Sequence, residues 1–483
     1  MHLVVICRII GMLLMIFSVT MALPAALAAL YDDGAMRAFG MAFVLTFGAG
    51  LVLRVISGNR QQDLGIRDGF LVVALFWSVL SLFGALPFYL ADHPGLSVSE
   101  AVFESFSGLT TTGATVIVGL DELPISILFY RQFLQWLGGI GIIVIAVAIL
   151  PILGIGGMQL YRAETPGPVK DTKLTPRITG TAKVLFYMYM ALTITCTAAY
   201  WLAGMTFFDA ICHAFSTVAI GGFSTHDASM GYFNSPLILM ICTAFMLFAG
   251  MSFAVHFAVW HERRPLSYLK DSESKFYLGV IGVSVLLVSL FLIFTGTQSA
   301  NNGLINGIFH TVSIATTAGF GADNFAAWPS FLPVYLVMLS FIGGCAGSTG
   351  GGMKAVRTML VVKQGVREMK QLIHPNAVIP LKVGQHRVEA RVVSAVWSFV
   401  AMYLISFVVI TLVMMACGLD SLSAFTATAA SINNMGPGLG EVAANYQSVS
   451  DVGKWVLCFA MLLGRLEIFT LLVLFTPAFW RRG

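Results

Sequence analysis

Four short stretches of this 483-residue chain share a pattern of small residues that ends in glycine. The four glycines are Gly113, Gly222, Gly319 and Gly436. Six residues before each glycine the chain has a small residue, namely Ser107, Ser216, Ser313 or Ala430. Thirteen residues before it comes a polar residue, which is Glu100, Asp209, Asn306 or Ser423. This shared spacing indicates four copies of one structural unit.

The chemistry open to such a unit is cation coordination by backbone carbonyls. A short helix that ends inside a membrane leaves its last carbonyls unpaired and carries partial negative charge at that end. Glycine adopts positive φ at little cost, so the chain that follows can turn its carbonyls towards a common axis. Four loops around one axis would form a ring of carbonyls that replaces the water shell of an ion. The shared spacing argues against four unrelated loop turns.

The composition places these loops in a membrane protein. The chain is 58% hydrophobic and 10% charged, against about 25% charged residues in soluble domains. Its seven cysteines show no disulfide or zinc spacing. We therefore predict an all-α polytopic membrane protein with four pseudo-symmetric helix–pore loop–helix repeats around one central pore, preceded by two N-terminal helices.

Apolar segments long enough to span a membrane support this architecture. Two come first, at about 3–30 and 38–56. The first resembles a secretory signal, but we favour a retained helix because a second span follows at once. Four pairs then flank the glycine loops: 69–91 and 126–157, 183–204 and 235–260, 276–296 and 331–363, 392–417 and 452–480. A semi-apolar stretch too short to span precedes each glycine and predicts a re-entrant pore helix.

These segments divide the chain into five parts. We predict two N-terminal transmembrane helices in 1–66 and pore repeats 1 to 4 in 67–170, 171–268, 269–380 and 381–483. The third repeat includes a glycine-rich intramembrane segment, 341–353.

The orientation follows from the distribution of charge. One set of connections is basic and contains Arg54, Arg60, Arg67, Arg162, Lys170, Lys173, Arg177, Lys183, Arg263, Arg264, Lys270, Lys275, the stretch 354–391, Arg481 and Arg482. The connections with the glycine loops carry Asp92, Glu100, Glu104, Asp121, Glu122, Asp209, Asp227, Asp323, Asp420 and Glu441. Both termini are therefore expected in the cytoplasm, with the loops entering from an acidic outer vestibule that concentrates cations. The alternative is that these acidic residues are ordinary solvated loop residues that do not concentrate cations.

The segment 341–353 reads F-I-G-G-C-A-G-S-T-G-G-G-M and interrupts a predicted span. Its small residues are Gly343, Gly344, Gly347, Ser348, Gly350, Gly351 and Gly352. So many glycines cannot hold a stiff helix, and we interpret the segment as a flexible gate below the loops. Close helix packing through the GxxxG spacing of Gly343 and Gly347 is an alternative. A phosphate-binding loop is a weaker one.

Three polar residues lie inside apolar stretches. Arg465, in the last span, is expected either to face the pore or to pair with Glu467 or another acid. His213 and His310 occupy the position that Glu104 has in the first repeat. We interpret the histidines as polar braces behind the loops rather than metal ligands, because they show no metal-site pattern.

The chain contains six motifs that resemble those of a known family. Its motifs are T-T-T-G-A-T at 110–115, A-I-G-G-F-S-T-H at 219–226, T-T-A-G-F at 316–320, N-N-M-G-P-G at 433–438, G-G-C-A-G-S-T-G-G-G at 343–352 and G-R-L-E at 464–467. They are similar, over the whole length, to the TrkH membrane subunits of potassium-uptake systems in the Trk/Ktr/HKT superfamily.

The resemblance implies K⁺ at a filter of backbone carbonyls, with no other metal and no covalently bound cofactor. By position, the ligands would be Thr111, Thr112, Gly113, Ile220, Gly221, Gly222, Thr317, Ala318, Gly319, Asn434, Met435 and Gly436. Gly113 favours K⁺, since related proteins with serine in the first loop tend to admit sodium. The segment 341–353 would be the gating loop.

The resemblance also implies partners and a location. It predicts a homodimer in the bacterial inner membrane, in contact with lipid. A TrkA-like cytosolic regulatory subunit, rather than this chain, would bind ATP/ADP or NAD(H) and control the gate. No nucleic acid is expected. The basic stretch 354–391 would suit such a subunit, while positive-inside topology or lipid headgroup binding explains it equally simply.

Potassium uptake through a selective, channel-like pore is thus the predicted function. A proton- or sodium-coupled symporter on the same scaffold is the first rival, and it needs a titratable group on the path, which arginine is not. An intramembrane enzyme is the second, but the chain lacks H-E-x-x-H, paired intramembrane aspartates and a suitable G-x-S-x-G. We expect no enzymatic activity.

Overall fold

The structure, a computed structural model, describes residues 2–58, 65–144, 178–263, 265–384 and 386–481. Helix α1 (Leu3–Thr20) continues past Met21 into α2 (Ala22–Tyr31), and α3 (Met36–Ile56) packs against α1. A Cβ on Gly11 or Gly50 would meet the backbone oxygen of the other. The absence of side chains at these positions therefore allows the two N-terminal helices to touch.

The four repeats follow in chain order. Repeat 1 contains α4 (Ile66–Gly84), its continuation α5 (Leu86–Leu90), the pore helix α6 (Val98–Leu109) and α7 (Ile125–Val144). Repeat 2 contains α8 (Ile178–Leu202), the pore helix α9 (Phe207–Ala219), α10 (Pro236–Ala249) and α11 (Phe253–Glu262). Repeat 3 contains α12 (Ser272–Phe294), the pore helix α13 (Ala300–Ala315), α14 (Leu332–Ser340) and α15 (Ala355–Ile373).

Repeat 4 begins with a small antiparallel hairpin, β1 (Lys382–Val383) and β2 (His386–Arg387), which pairs Lys382 with Arg387. Repeat 4 contains α16 (Ala390–Ala416), the pore helix α17 (Ser421–Ile432), α18 (Asp451–Arg465) and α19 (Phe469–Leu472), and α20 (Pro477–Trp480) follows it. Single 3-10 turns lie at Leu120–Glu122, Ser229–Phe233, Pro265–Leu269, Phe325–Ala327, Gly440–Val442 and Val473–Phe475.

The repeats are arranged in a ring. Each pore helix packs against the second helix of the repeat before it: α9 on α7, α13 on α10 and α17 on α14. The ring closes because α6, the first pore helix, packs on α18 of the fourth repeat. The N-terminal helices α1, α2 and α3 cover the first repeat through α4, α7 and α5. Consequently the four pore helices surround one axis.

Among the described residues, 6 helices are long and apolar enough to cross a membrane, or up to 8 if two bent pairs each count as one span. The bends correct the prediction of continuous spans over 235–260 and 452–480. Helices α10 and α11 meet at 93°, and α18 turns by 112° into the helical residues that follow it. The predicted span 126–157 agrees with α7 as far as Val144, and its remainder lies outside the described residues.

The break between α10 and α11 has a physical cause in the third repeat. The carbonyl of Gly250 accepts a hydrogen bond of 2.8 Å from Cys345, and the Phe253 amide donates to Gly347 at 3.1 Å. Both partners belong to the glycine-rich segment. Backbone groups freed by the break are thus satisfied by that segment, as groups at membrane depth require.

Candidate functional site: the four glycine loops

The pore helices are capped at the ends where they enter the protein. Ser97, Thr206, Ser299 and Asp420 each accept a backbone N–H at the N-terminus of their helix. In repeats 1, 2 and 4 the residue thirteen before the glycine is the third helical residue, so this spacing marks the helix start. Asn306 departs from that role because α13 begins earlier, at Ala300.

The six-residue spacing reports a backbone hydrogen bond. Four amides donate at 2.8 Å to the carbonyl six residues before the loop glycine: Thr112 to Ser107, Gly221 to Ser216, Ala318 to Ser313 and Met435 to Ala430. Since the acceptor is a main-chain oxygen, Ala430 serves as well as serine does. The hydroxyls of Ser107 and Ser216 have no hydrogen-bond partner among the described residues. The spacing therefore reflects helix termination rather than hydroxyl chemistry.

The loops share an unusual backbone. The glycines have φ of 82°, 79°, 77° and 94° in chain order, and the residues two positions earlier, Thr111, Ile220, Thr317 and Asn434, have φ of 56°, 55°, 73° and 53°. Left-handed backbone at non-glycine residues is strained and clusters at functional sites. Its recurrence in all four repeats indicates a required conformation.

The loops also touch one another in cyclic order. A Cβ on Gly113 would collide with the carbonyl of Gly221, one on Gly222 with Ala318, and one on Gly319 with Met435. A Cβ on Gly436 would lie 2.8 Å from the Thr112 oxygen, which closes the ring. Glycine is needed at these four positions for space as well as for φ.

Twelve carbonyls of these loops were predicted as ion ligands, and most accept no hydrogen bond. Gly221 accepts one of 2.6 Å from Gln135, and Gly436 one of 2.8 Å from the Tyr446 hydroxyl. The other ten accept none from the described part of the chain. Buried carbonyls are normally paired, so a ring of ten unpaired oxygens is suited to a cation.

The first two loops are held by a buried ion pair. Arg131 of α7 donates to Glu104 at 2.8 Å and to the Ser224 carbonyl at 3.0 Å, and its guanidinium lies 4.3 Å from the Phe223 ring centre. Glu104 also accepts from the Val116 amide. Because Glu104 is fully buried, the expectation that it contributes to the acidic mouth is wrong. It instead joins the segments that follow Gly113 and Gly222.

Gln135 holds the second loop and was not among the functional residues predicted from the sequence. Its amide donates to Gly221, and its oxygen accepts from the Phe223 amide at 3.1 Å, so it clamps the second loop on both sides of Gly222. The available signal was a polar residue one helical turn beyond Arg131 in an apolar stretch. Asn434 was named for its carbonyl, but its side chain also binds Thr112 at 2.9 Å and so joins loops 4 and 1.

The two histidines brace the chain after their glycines. His213 lies within 2.9 Å of the Ser224 hydroxyl, and His310 accepts from the Asp323 amide at 3.1 Å. Both occupy the position of Glu104 and contact the segment beyond the loop of their own repeat. Among the described residues, no group of three or more His, Cys, Asp or Glu side chains could hold a metal ion.

We expect removal of one member of the buried ion pair to destabilise the protein strongly. Glu104→Ala leaves Arg131 buried without its carboxylate, and such a loss costs on the order of 3–5 kcal/mol. The measurement is the thermal unfolding temperature of purified protein, with Glu441→Ala, an exposed acid after the fourth loop, as the control. Equal unfolding temperatures for the two variants would refute the structural role of the pair.

The glycine-rich segment, itself part of repeat 3, contacts repeats 2 and 4, and Arg465 connects it to repeat 1. Thr349 donates to the Val218 carbonyl of repeat 2 at 2.9 Å, Gly351 to the Thr317 hydroxyl at 2.7 Å, and Gly352 to the Asn433 carbonyl of repeat 4 at 3.0 Å. Arg465 donates to the Thr349 carbonyl at 3.1 Å and to Gly138 of repeat 1 at 2.7 Å. The segment is thus fastened next to the loops.

The segment folds back on itself. A Cβ on Gly343 would collide with the Gly351 carbonyl, and the Met353 amide donates to Phe341 at 3.0 Å. Gly343, Gly347 and Gly352 have φ of 67°, 78° and 72°. Since α14 ends at Ser340, Gly343 and Gly347 do not form a helix-packing motif. They make turns.

Arg465 is half-buried between the segment and α7. Its guanidinium also lies 5.1 Å from the ring centre of Trp77. Glu467, the acid that the sequence offered as its partner, pairs with Arg357 at 2.5 Å. A positive charge therefore stands beside the glycine-rich segment.

Two acidic residues at the N-terminal ends of pore helices, Glu100 and Asp420, are engaged in structural contacts. Lys454 lies 3.1 Å from Glu100. Partial burial raises the pKa of Glu100, but hydrogen bonds from Ser97 and the charge of Lys454 outweigh it and leave this pKa below its usual value. A hydrogen bond from Ser423 lowers the pKa of Asp420. Both carboxylates therefore stay ionised to a lower pH than they would without these contacts.

Comparison with known proteins decides the family. Residues 35–482 match the family profile TrkH, described as a cation transport protein. The chain belongs to the TrkH family. It is 57% identical over 480 residues to the Trk system potassium uptake protein TrkH of Vibrio parahaemolyticus, covering 99% of both chains. It is 40% identical over 481 residues to TrkG of Escherichia coli K12, covering 99% of both.

The crystal structure of the potassium transporter TrkH from Vibrio parahaemolyticus superposes on this chain with a TM-score of 0.91, covering 100% of both chains at 53% identity. Membership of the TrkH family confirms the predicted fold class and a multi-pass membrane protein. It also confirms the expectation that the chain is not an enzyme, because cation transport is not an enzymatic function.

Proposed function

We propose that this protein takes up potassium through a K⁺-selective, channel-like pore whose filter is the ring of four glycine loops. The observation that carries the proposal is the set of ten loop carbonyls, on buried or half-buried residues, without hydrogen-bond donors among the described residues. A dehydrated cation would supply what these oxygens lack. The names of the relatives, which are potassium uptake proteins, support K⁺ as the ion.

The ion would bind to the carbonyls of the twelve predicted residues, and the clamps would keep their spacing. Gln135, Arg131 and Tyr446 fix loops from outside the ring, so the oxygens cannot collapse onto a smaller ion at no cost. Because Gln135 and Arg131 hold the second loop and Tyr446 holds the fourth, the loops are not equivalent. Transport would follow the membrane potential, which is worth about 2.3 kcal/mol per charge at 100 mV.

The glycine-rich segment would be the gate, held closed by its bonds to Val218, Thr317 and Asn433, with Arg465 as an electrostatic barrier on the path. A TrkA-like cytosolic regulatory subunit carrying ATP/ADP or NAD(H) would control it.

The protein would act as a homodimer in the bacterial inner membrane, with both termini cytoplasmic. The connections that do not carry the glycine loops are rich in lysine and arginine, and this distribution supports the orientation.

A coupled symporter is the remaining rival. It needs a titratable group on the path, and the nearest acid to Arg465 in sequence, Glu467, is engaged by Arg357. This pairing favours the uncoupled pore.

Reversal potentials of the purified protein in liposomes, measured at several pH values, test the proposal. A potential that follows the K⁺ gradient and ignores pH and Na⁺ supports the channel-like filter. A potential that moves with pH or requires Na⁺ means coupled transport. Absence of flux, with and without a TrkA-like subunit, would reject the proposed filter.

A milder prediction tests the gate. Thr349→Val keeps the shape of the side chain but removes its bond to the Val218 carbonyl. A net hydrogen bond is worth about 0.5–1.5 kcal/mol, so we expect the open-to-closed ratio to rise roughly two- to tenfold. Single-channel open probability measures this. Thr411→Val, which loses only a bond within α16, is the control, and equal open probabilities would contradict the gate.

A further inference from the structure

A basic groove lies at the foot of the third repeat, where α15 meets the hairpin. It has a volume of about 160 Å³, and its lining residues are Lys363, Val366, Arg367, Lys370, Ile379, Pro380, Leu381 and Lys382. Four of these eight are cations and none is an acid. The groove lies outside the pore and is not used by the proposed transport.

The cations are concentrated by the helix. Lys363, Arg367 and Lys370 stand at i, i+4 and i+7 and share one face of α15, while Lys382 faces them from β1. Like charges at this spacing repel. Among the described residues, the ion-pair partner of these cations is Glu368, which is 57% exposed and lies 3.5 Å from Arg367. The charge of the groove is thus left for an anion to balance.

The geometry supplies an unoccupied donor. The Nε of Arg367 is buried and has no hydrogen-bond partner in the described part of the chain. Lys363 reaches across the groove to the Lys382 carbonyl at 2.9 Å, which fixes its direction. A guanidinium and ammonium groups in this arrangement suit the oxygens of a phosphate.

An apolar stripe runs beside the cations. Val362, Val366, Met369 and Ile373, at i, i+4, i+7 and i+11, are exposed on α15, and Met369 is 59% exposed. Exposed apolar residues in a row mark a contact surface. A helix with adjacent apolar and basic stripes is typical of one that lies at a membrane surface.

Packing contacts connect the groove to the start of a spanning helix. Leu381, at its floor, is buried in a cluster with Val393 and Val396, which belong to the first two turns of the spanning helix α16. Phospholipid headgroups surround that part of a spanning helix. The stripe would then face acyl chains, and the cations would face phosphates.

We propose that this groove binds the headgroup of an anionic phospholipid, whose acyl chains lie along the apolar stripe of α15. Because α15 begins directly after the glycine-rich segment, a lipid held here is positioned to act on the proposed gate. Lipid binding itself does not depend on the proposed function.

Native mass spectrometry of the delipidated full-length protein tests the site, with phosphatidylglycerol and phosphatidylcholine as probes. We expect phosphatidylglycerol to bind more tightly, and the variant Lys363→Gln, Arg367→Gln, Lys370→Gln, Lys382→Gln to weaken its binding at least about tenfold. The matched control, Arg54→Gln, Arg263→Gln, Lys270→Gln, Lys275→Gln, removes equal charge elsewhere and should bind as the wild type does. Equal affinity for both lipids, or equal losses in both variants, would overturn the proposal.

A second variant separates a lipid from a free phosphate. Val362→Ser with Val366→Ser and Met369→Ser should weaken phosphatidylglycerol and leave the binding of inorganic phosphate unchanged. If inorganic phosphate binds as tightly as the lipid, the groove is a site for soluble anions. If the groove variant keeps its lipid but loses the response to a TrkA-like subunit, the surface docks a protein. Either result rejects the lipid site.

Discussion

Gly319→Ala is expected to reduce K⁺ flux about a hundredfold or more and to remove K⁺ selectivity from what remains. The added Cβ would occupy the place of the Met435 carbonyl in the next loop and also press on Pro437. In addition, φ at Gly319 is 77°, where a residue with a side chain is strained by roughly 1–3 kcal/mol. The strain and the collision together displace carbonyls of two loops. Liposome flux and the reversal potential measure both effects.

The control lies two residues away. Gly321→Ala meets nothing within 4 Å, so its flux and selectivity should equal those of the wild type. Gly436→Ala should fall between the two, because its nearest contact, at 2.8 Å from the Thr112 oxygen, is less severe. Size-exclusion chromatography checks that each variant is folded. If the folded variants of Gly319, Gly321 and Gly436 all had equal selectivity, the glycine loops would not determine which ion is transported.

Deletion of Gly350–Gly352 is expected to raise basal K⁺ flux at least about tenfold when no regulatory subunit is present. It removes the donors to Thr317 and Asn433, and each net hydrogen bond is worth about 1 kcal/mol. Two such bonds shift a closed-to-open equilibrium by more than tenfold. The segment would also become too short to reach the loops of repeats 3 and 4 together. Flux into liposomes containing this chain alone gives the measurement.

The matched control is deletion of 375–377, three residues in the exposed turn after α15. This change shortens the same connection on the other side of α15 without touching the glycine-rich segment, and basal flux should stay low. A folded Gly350–Gly352 deletion that conducts no faster than this control would count against the gate.

The loop backbone was predictable because it is local. The distance of six residues from carbonyl to glycine is set by the way a single helix ends, and it recurs wherever that ending recurs. Side-chain identity matters little there, which is why Ala430 fits among three serines. The thirteen-residue spacing is local too, and it fails at Asn306 only because α13 starts earlier.

The breaks in the second helices were not predictable. No proline or glycine run marks residues 250–252 or 466–468 as different from the surrounding span. Each break depends on a partner far along the chain, such as Cys345 for Gly250 and Arg357 for Glu467. Residue periodicity within one segment carries no information about such partners.

By itself, the sequence determined the membrane class, the number of repeats, the glycine positions and the family, since these follow from composition and from spacing along one chain. Tertiary structure alone decided that the four loops touch in cyclic order, that Glu104 is a buried partner of Arg131 rather than a vestibule acid, and that Gln135 clamps the second loop. The physical reason is that a carbonyl ring, a buried ion pair and a clamp are each made by residues from different repeats. Their existence depends on how the repeats pack.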